Sequence, residues 1–364
     1  MTLQSISNVH RDIYYTYARV SFLDKLEIFL TLLRLPVALV TRLVLSPFRV
    51  HDKNRSWNRV TSDETFRFFS SQLRVNQMQY IMGTTPTVYA AWAKKNARPA
   101  IIDDLGNDGV LMWFTDKRVS GNLSVQDYVP PFWISIISEI KMRTGKDYGF
   151  VALSYSLYPS ASFPTQLLQA ISGLSCFLPR GTKLEDIHLV GDSAGAALVL
   201  QVLSHLLHPH LDIPQVPLLR HLGGALLMSP RASLRTEAPS FTANSDSDVL
   251  PGESWAYLAS GILNELEGEG RLYLGAVKLP SGWWDGVDKV VKKITIHTGA
   301  LECLRDDAVT LARILKQSHR DVKLFVQPGG VRTDPYLTHL SRENDDEAVV
   351  DLLLERSRIN ATKV

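Results

Sequence analysis

Ile187-His188-Leu189-Val190-Gly191-Asp192-Ser193-Ala194-Gly195 is the stretch that decides the fold. Four mostly apolar residues lead into Gly-Asp-Ser-Ala-Gly, and a helical pattern follows at once over Ala194–Leu207. A G-x-S-x-G match carries meaning only in this strand–turn–helix setting. The turn is tight and strained, so small residues belong where the backbone folds on itself, at Gly191 and Gly195. Such an elbow lifts the Ser193 hydroxyl clear of a sheet. It also sets the N–H of Ala194 at the positive end of a helix, where an oxyanion is stabilised. Ser193 is therefore the expected nucleophile and Ala194 the expected oxyanion donor.

Outward from the elbow, short apolar runs alternate with longer amphipathic ones. The runs 109–114, 148–155, 187–190, 224–229, 293–297 and 322–326 read as strands. Helical patterns cover 163–177, 194–207 and 306–318. This alternation predicts an α/β fold, with a mostly parallel central sheet covered by helices on both faces. Residues 230–290 break the rhythm and read as an insertion at the mouth of a pocket, helical near Ser254–Leu266. The expected organisation is an N-terminal apolar segment and helical cap over 1–95, then the core over 96–364.

The chain has 364 residues, 45% of them hydrophobic, which is ample for a buried core. A net charge of +2 with both signs interspersed argues against a nucleic-acid partner. Two cysteines, Cys176 and Cys303, exclude a disulfide framework and a cysteine zinc cluster. Both read as small buried hydrophobes. No metal-ligand spacing, phosphate loop or dinucleotide motif is present, so neither a metal nor a cofactor is expected. His205, His208 and His210 near a helix end read as structural. The segment 28–45, IFLTLLRLPVALVTRLVL, is strongly apolar but is interrupted by Arg34 and Arg42 and split by Pro36. It reads as a cap helix over the site, as an interfacial helix with Arg34, Arg42 and Arg49 snorkelling, or as a membrane span. The location expected is cytoplasmic or peripheral to the endoplasmic reticulum membrane. Sequons at Asn54, Asn122 and Asn360 would matter only in a lumenal chain.

The Gly-Asp-Ser-Ala-Gly form resembles that of the hormone-sensitive lipase group of esterases. The group carries Tyr-x-Leu-x-Pro and then Phe-Pro ahead of the elbow; here Tyr155-Ser156-Leu157-Tyr158-Pro159 and Phe163-Pro164 match. Ser229-Pro230 matches as well, and the acid segment reads Gly299-Ala300-Leu301-Glu302-Cys303-Leu304-Arg305-Asp306. The resemblance covers about residues 95–340 and implies an α/β-hydrolase fold with Glu302 as the acid. The Glu form looks most like the fungal steryl acetyl hydrolase-like branch, which includes hydrolases of cytochalasan-type secondary-metabolite clusters. An apolar small-molecule substrate is implied, and segments 28–45 and 250–290 suit a roomy hydrophobic site.

Two departures bear on chemistry. Where relatives carry His-Gly-Gly-Gly after a strand, this chain has Thr115-Asp116-Lys117-Arg118. Losing one oxyanion donor costs ~2.7–4 kcal/mol in a hydrolase. The loop is either refolded to close the pocket or supplies a cation from Lys117 or Arg118. Where relatives carry Pro-Gly-Gly-Val-His, this chain has Pro328-Gly329-Gly330-Val331-Arg332. A guanidinium keeps its proton and cannot serve as the base. Removing such a base costs a factor of ~10⁶ in turnover. Arg332 is expected to pair with Glu302. His339, ~10 Å further along a helix, is a possible substitute base, and His297 a weaker one.

Three functions fit these residues. One is a carboxylic-ester hydrolase with a rearranged triad. The second is an enzyme that orients an apolar polyketide for cyclisation or dehydration, with Arg332 polarising a carbonyl. The third is a non-catalytic lipid- or partner-binding protein, suggested by the apolar segment 28–45 and the Trp283-Trp284 pair.

Overall fold

The computed structural model describes residues 18–49, 51–53, 55–115, 129–218, 220–266, 268–343 and 346–354. Asp116, Lys117 and Arg118, like Asn54, Asn122 and Asn360, lie outside the described residues. Among the described residues four helices come first: α1 (Phe22–Leu45), α2 (Trp57–Gln72), α3 (Val75–Met82) and α4 (Thr85–Lys95). Strands β1 (Ile101–Asp104) and β2 (Val110–Trp113) follow, then α5 (Val129–Thr144), β3 (Val151–Ser154) and α6 (Thr165–Ser175). Next come β4 (His188–Asp192), α7 (Ala194–Leu207) and β5 (Gly224–Met228). The insertion holds α8 (Pro239–Ala243), α9 (Gly252–Glu265), α10 (Gly270–Leu274) and α11 (Val287–Val290). The chain continues with β6 (Ile294–Gly299), α12 (Arg305–Ser318), β7 (Val322–Gln327), α13 (Asp334–Ser341) and α14 (Asp346–Leu354).

Strands β4-β5-β6-β7 form a parallel sheet in that order, while β1-β2-β3 form an antiparallel one. Side chains alternate across the parallel sheet, as a period of two requires. Leu189, Leu227, Ile294 and Ile296 pack toward α6, α7 and α12. Val190, Leu226 and Met228 turn to the other face, against Phe132, Trp133 and Ile136 of α5 and Val349 and Val350 of α14. Helix α7 buries Leu198, Val199, Leu200, Val202 and Leu203. Each such side chain is worth ~1.5–3 kcal/mol of burial, so the helix behind the elbow is firmly anchored.

Strand β2 belongs to the antiparallel sheet. It pairs antiparallel with β3, Val110 opposite Ser154 and Trp113 opposite Val151, and Phe114 N–H donates to Phe150 O. The other end of β3 runs into Tyr155, whose hydroxyl feels the charges of Asp192 and Arg231 beside the elbow. The strand ending at Phe114 thus finishes at the end of that sheet opposite Tyr155. Thr115 does not sit where an oxyanion loop leaves a strand.

Helix α1 is continuous, with Pro36 inside it rather than splitting it. Proline removes a single helix donor, and long apolar turns on both sides carry the helix through. Only Ile28 and Arg42 of α1 are buried, whereas Phe22, Phe29, Leu33, Val37, Val40 and Val44 are more than half exposed. It therefore does not pack as a cap with its apolar side turned inward. Arg42 does not snorkel either: its guanidinium is paired with Asp52 at 2.9 Å and approaches Glu64 of α2 at 3.8 Å. Trp284 is buried in the core, its indole N–H donating to Ala276 O. Trp283 packs on His208. Neither tryptophan offers an open surface.

Candidate active site

The elbow forms as its residue types require. Ser193 lies between β4 and α7 with φ 51° and ψ −109°, a strained conformation for a residue with a side chain. A Cβ on Gly191 would meet the Gly195 carbonyl at 2.4 Å, so nothing larger than glycine fits there. A Cβ on Gly195 would point into open space. Gly195 is needed less for room than the turn pattern suggests. Ser193 N–H donates to Met228 O and Arg231 N–H donates to Ser193 O, so β5 and the residues after it hold the turn from both sides. Ala194 opens α7, so its N–H has no acceptor within the helix.

Arg332 and not a histidine stands at the nucleophile. Its Nε donates to Ser193 Oγ at 3.2 Å, and its guanidinium lies 5.3 Å from the centre of the Trp255 ring. Its backbone N–H donates to Asp248 Oδ1 at 3.0 Å. The expected Arg332–Glu302 pair does not form. Glu302 is fully buried and accepts instead from Ser229 Oγ at 2.7 Å, from Gly299 N at 3.0 Å, and from Thr298 Oγ1. These three donors occupy the carboxylate. A Cβ on Gly299 would meet Gly330 O at 2.4 Å, so the acid turn and the Gly329-Gly330 turn are in backbone contact. Ser229 adopts φ 45° and also accepts from Thr333 N at 2.8 Å, linking Glu302 to the Arg332 loop through one hydroxyl. Burial, and then the nearby Asp248 carboxylate, push Glu302 up to about 8 against the pull of its donors.

Of the histidines weighed from sequence, neither reaches Ser193. His339 sits on α13, edge-on to Phe132 at 5.5 Å. His297 is buried on β6, its Nε2 bonded to Gln327 Oε1 at 2.8 Å, and burial lowers its pKa. His205 bonds Pro214 O and His208 bonds Trp283 O, both structural roles. Cys303 is fully buried. Among the described residues no group of histidines, cysteines and carboxylates could hold a metal.

Three site residues went unread in the sequence, two of them without any signal. Asp248 and Trp255 arrive from the insertion. Asp248 accepts from Cys303 N at 2.8 Å as well as from Arg332 N, and so joins the acid turn to the loop after β7. Arg231 places its guanidinium 5.9 Å from the Trp255 ring. Its position directly after Ser229-Pro230 was the one hint available.

A family model described as alpha/beta hydrolase fold matches residues 144–332. The chain belongs to the alpha/beta hydrolase fold family. Among solved structures it is similar to an esterase from the bacterial hormone-sensitive lipase family, with 20% identity and a TM-score of 0.60 over 84% of this chain and 99% of that one. An esterase/lipase from an uncultured bacterium matches with 18% identity and a TM-score of 0.56, over 81% and 96%. A carboxyl esterase from the mycorrhizal fungus Tuber melanosporum matches with 16% identity and a TM-score of 0.53, over 67% and 80%. At these identities the likeness is one of fold: the chain has an esterase/lipase-like α/β-hydrolase fold. No curated protein matches it.

Proposed function

We propose that this chain is a hormone-sensitive-lipase-type protein that binds an apolar ester or polyketide-derived molecule and polarises its carbonyl without a histidine base. One contact carries the reading: Arg332 Nε donates to Ser193 Oγ, at the place where a triad base must accept. A guanidinium keeps its proton at any working pH, so Ser193 Oγ is an acceptor here. A substrate carbonyl oxygen between Arg332 and the Ala194 N–H would meet two donors aimed at developing negative charge. That arrangement favours cyclisation or dehydration of the bound molecule over acyl transfer. The setting we propose is fungal secondary-metabolite biosynthesis, on the strength of the motif resemblance, and the esterase neighbours support the lipase-type grouping. Ester hydrolysis at Ser193 is the second reading, favoured by the strained φ of the serine.

Labelling with a fluorophosphonate separates the two. Wild-type Ser193 is expected to stay unlabelled across pH 6–9, while Arg332→His, which supplies a base, labels about 10²-fold faster or more. Wild-type labelling at the rate of Arg332→His would instead establish the hydrolytic reading.

We propose further that α1 seats the protein on a membrane surface, peripheral to the endoplasmic reticulum. The exposed apolar residues of a helix spanning 24 residues support this, and an 18-residue window within Phe22–Phe48 has a mean hydropathy of 2.0 with little of that window buried.

A further inference from the structure

Two guanidiniums share the Trp255 ring beside the nucleophile, Arg332 at 5.3 Å and Arg231 at 5.9 Å. Among the described residues neither forms an ion pair with a carboxylate. Asp248 accepts from the Arg332 backbone and feels its charge, but forms no ion pair with its guanidinium. Arg231 Nη2 is closed off from solvent and donates to nothing. Burial, and then the like charge of Arg332, pull Arg231 down to about 10. A desolvated cation left without a counter-charge is costly unless something supplies one. Tyr155, whose hydroxyl feels the same guanidinium, carries no charge to offer, because burial and Asp192 raise its pKa. The missing partner is therefore an anion that arrives with the ligand. Two planar forks beside one aromatic ring suit a flat, two-oxygen anion more than a point charge.

We infer that the pocket beside Ser193 binds a substrate carrying a carboxylate, held between Arg231 and Arg332. The inference rests on the reading that Ser193 marks the substrate pocket, and it holds whichever reaction follows there. It names the substrate class as an acid with an apolar body. The carboxylate satisfies Arg231 Nη2, and its binding relieves the repulsion between the two cations.

Titration of the full chain with decanoate, methyl decanoate and inorganic phosphate, each below any micellar concentration and in phosphate-free buffer, tests this. Decanoate is expected to bind at least tenfold more tightly than methyl decanoate and to raise the melting temperature with concentration. Arg231→Gln is expected to weaken decanoate at least tenfold and to leave methyl decanoate within twofold. Without ligand the same variant should melt higher than wild type, since it removes a partly buried cation that has no ion-pair partner. Equal binding of acid and ester, no binding of decanoate, or decanoate binding unchanged in Arg231→Gln would each overturn the proposal. So would phosphate binding as tightly as decanoate, which would mark a generic anion site. Arg231→Lys, which keeps the charge but loses the fork, should fall between wild type and Arg231→Gln. If Arg231→Gln fails to fold, a wild-type melting temperature that rises equally with acid and ester overturns it alone. Fluorophosphonate labelling of Arg332→His does not depend on Arg231, so the two readings fail separately.

Discussion

Gly191 and Gly195 look equivalent in the motif and are not equivalent in space. The first lies in backbone contact with the second, 2.4 Å from a would-be Cβ to the Gly195 carbonyl, while the second faces open volume. Gly191→Ala is therefore expected to cost about 3 kcal/mol or more, and Gly195→Ala well under about 1 kcal/mol, both read from urea denaturation midpoints. Ser193 was legible from the elbow pattern, and Glu302 only through the resemblance of its segment to that of the esterase group. The hydrogen bond from Arg332 was not. Sequence reading placed Arg332 at the base position but paired it with Glu302, whose acceptor sites are taken by Ser229, Thr298 and Gly299. A side chain's partner depends on which competing donors arrive first in space, and that is a tertiary fact.

At the level of elements, six strands were read from apolar runs and each formed, with shifts of a few residues at the ends. Strand β1 was missed because Ile101-Ile102-Asp103-Asp104 offers two apolar residues and no alternation. The direction of β2 was left open by the sequence, because periodicity carries no sign: an apolar run reads the same paired either way. The insertion contributes more than a pocket rim. Through Asp248 it grips Cys303 N–H in the acid turn and Arg332 N–H in the loop after β7, and the same carboxylate helps hold the Glu302 proton. Glu302 sits at about 8 in the folded chain against an ordinary 4.5. The folded state thus binds this proton more tightly, and its stabilising effect is fully present below about 4.5 and lost as pH rises through about 8. Urea midpoints should fall across that window, by roughly 1–4 kcal/mol in stability. Glu302→Gln should flatten that fall. A midpoint that rises between pH 5 and 8 in wild type relative to Glu302→Gln would contradict the assignment.

For the molecule as a whole, α1 sets the expected behaviour in the presence of lipid. Phe29, Leu33 and Val37 are exposed, and each apolar side chain of this size gains ~1.5–3 kcal/mol on leaving water. Wild-type protein should float with phosphatidylcholine vesicles. A Phe29→Ser, Leu33→Ser, Val37→Ser triple variant should float at least about tenfold less, with its melting temperature unchanged. Equal flotation would remove the membrane role. The apolar character of this segment was plain in the sequence. Its exposure was not, because composition alone does not distinguish an unburied helix from a buried one.

Helix α2 ties this outer helix to the chemistry. It meets α1 where Arg42 approaches Glu64, and it reaches the Arg332 loop through Arg59, which pairs with Asp334, while Arg55 just ahead of the helix donates to Gly329 O. A protein seated through α1 would hold the Arg332 loop to the membrane side through the α1–α2 contact. An apolar acid dissolved in the bilayer would then be drawn from a two-dimensional reservoir. Its supply would follow its mole fraction in lipid, with the water-soluble pool of little consequence.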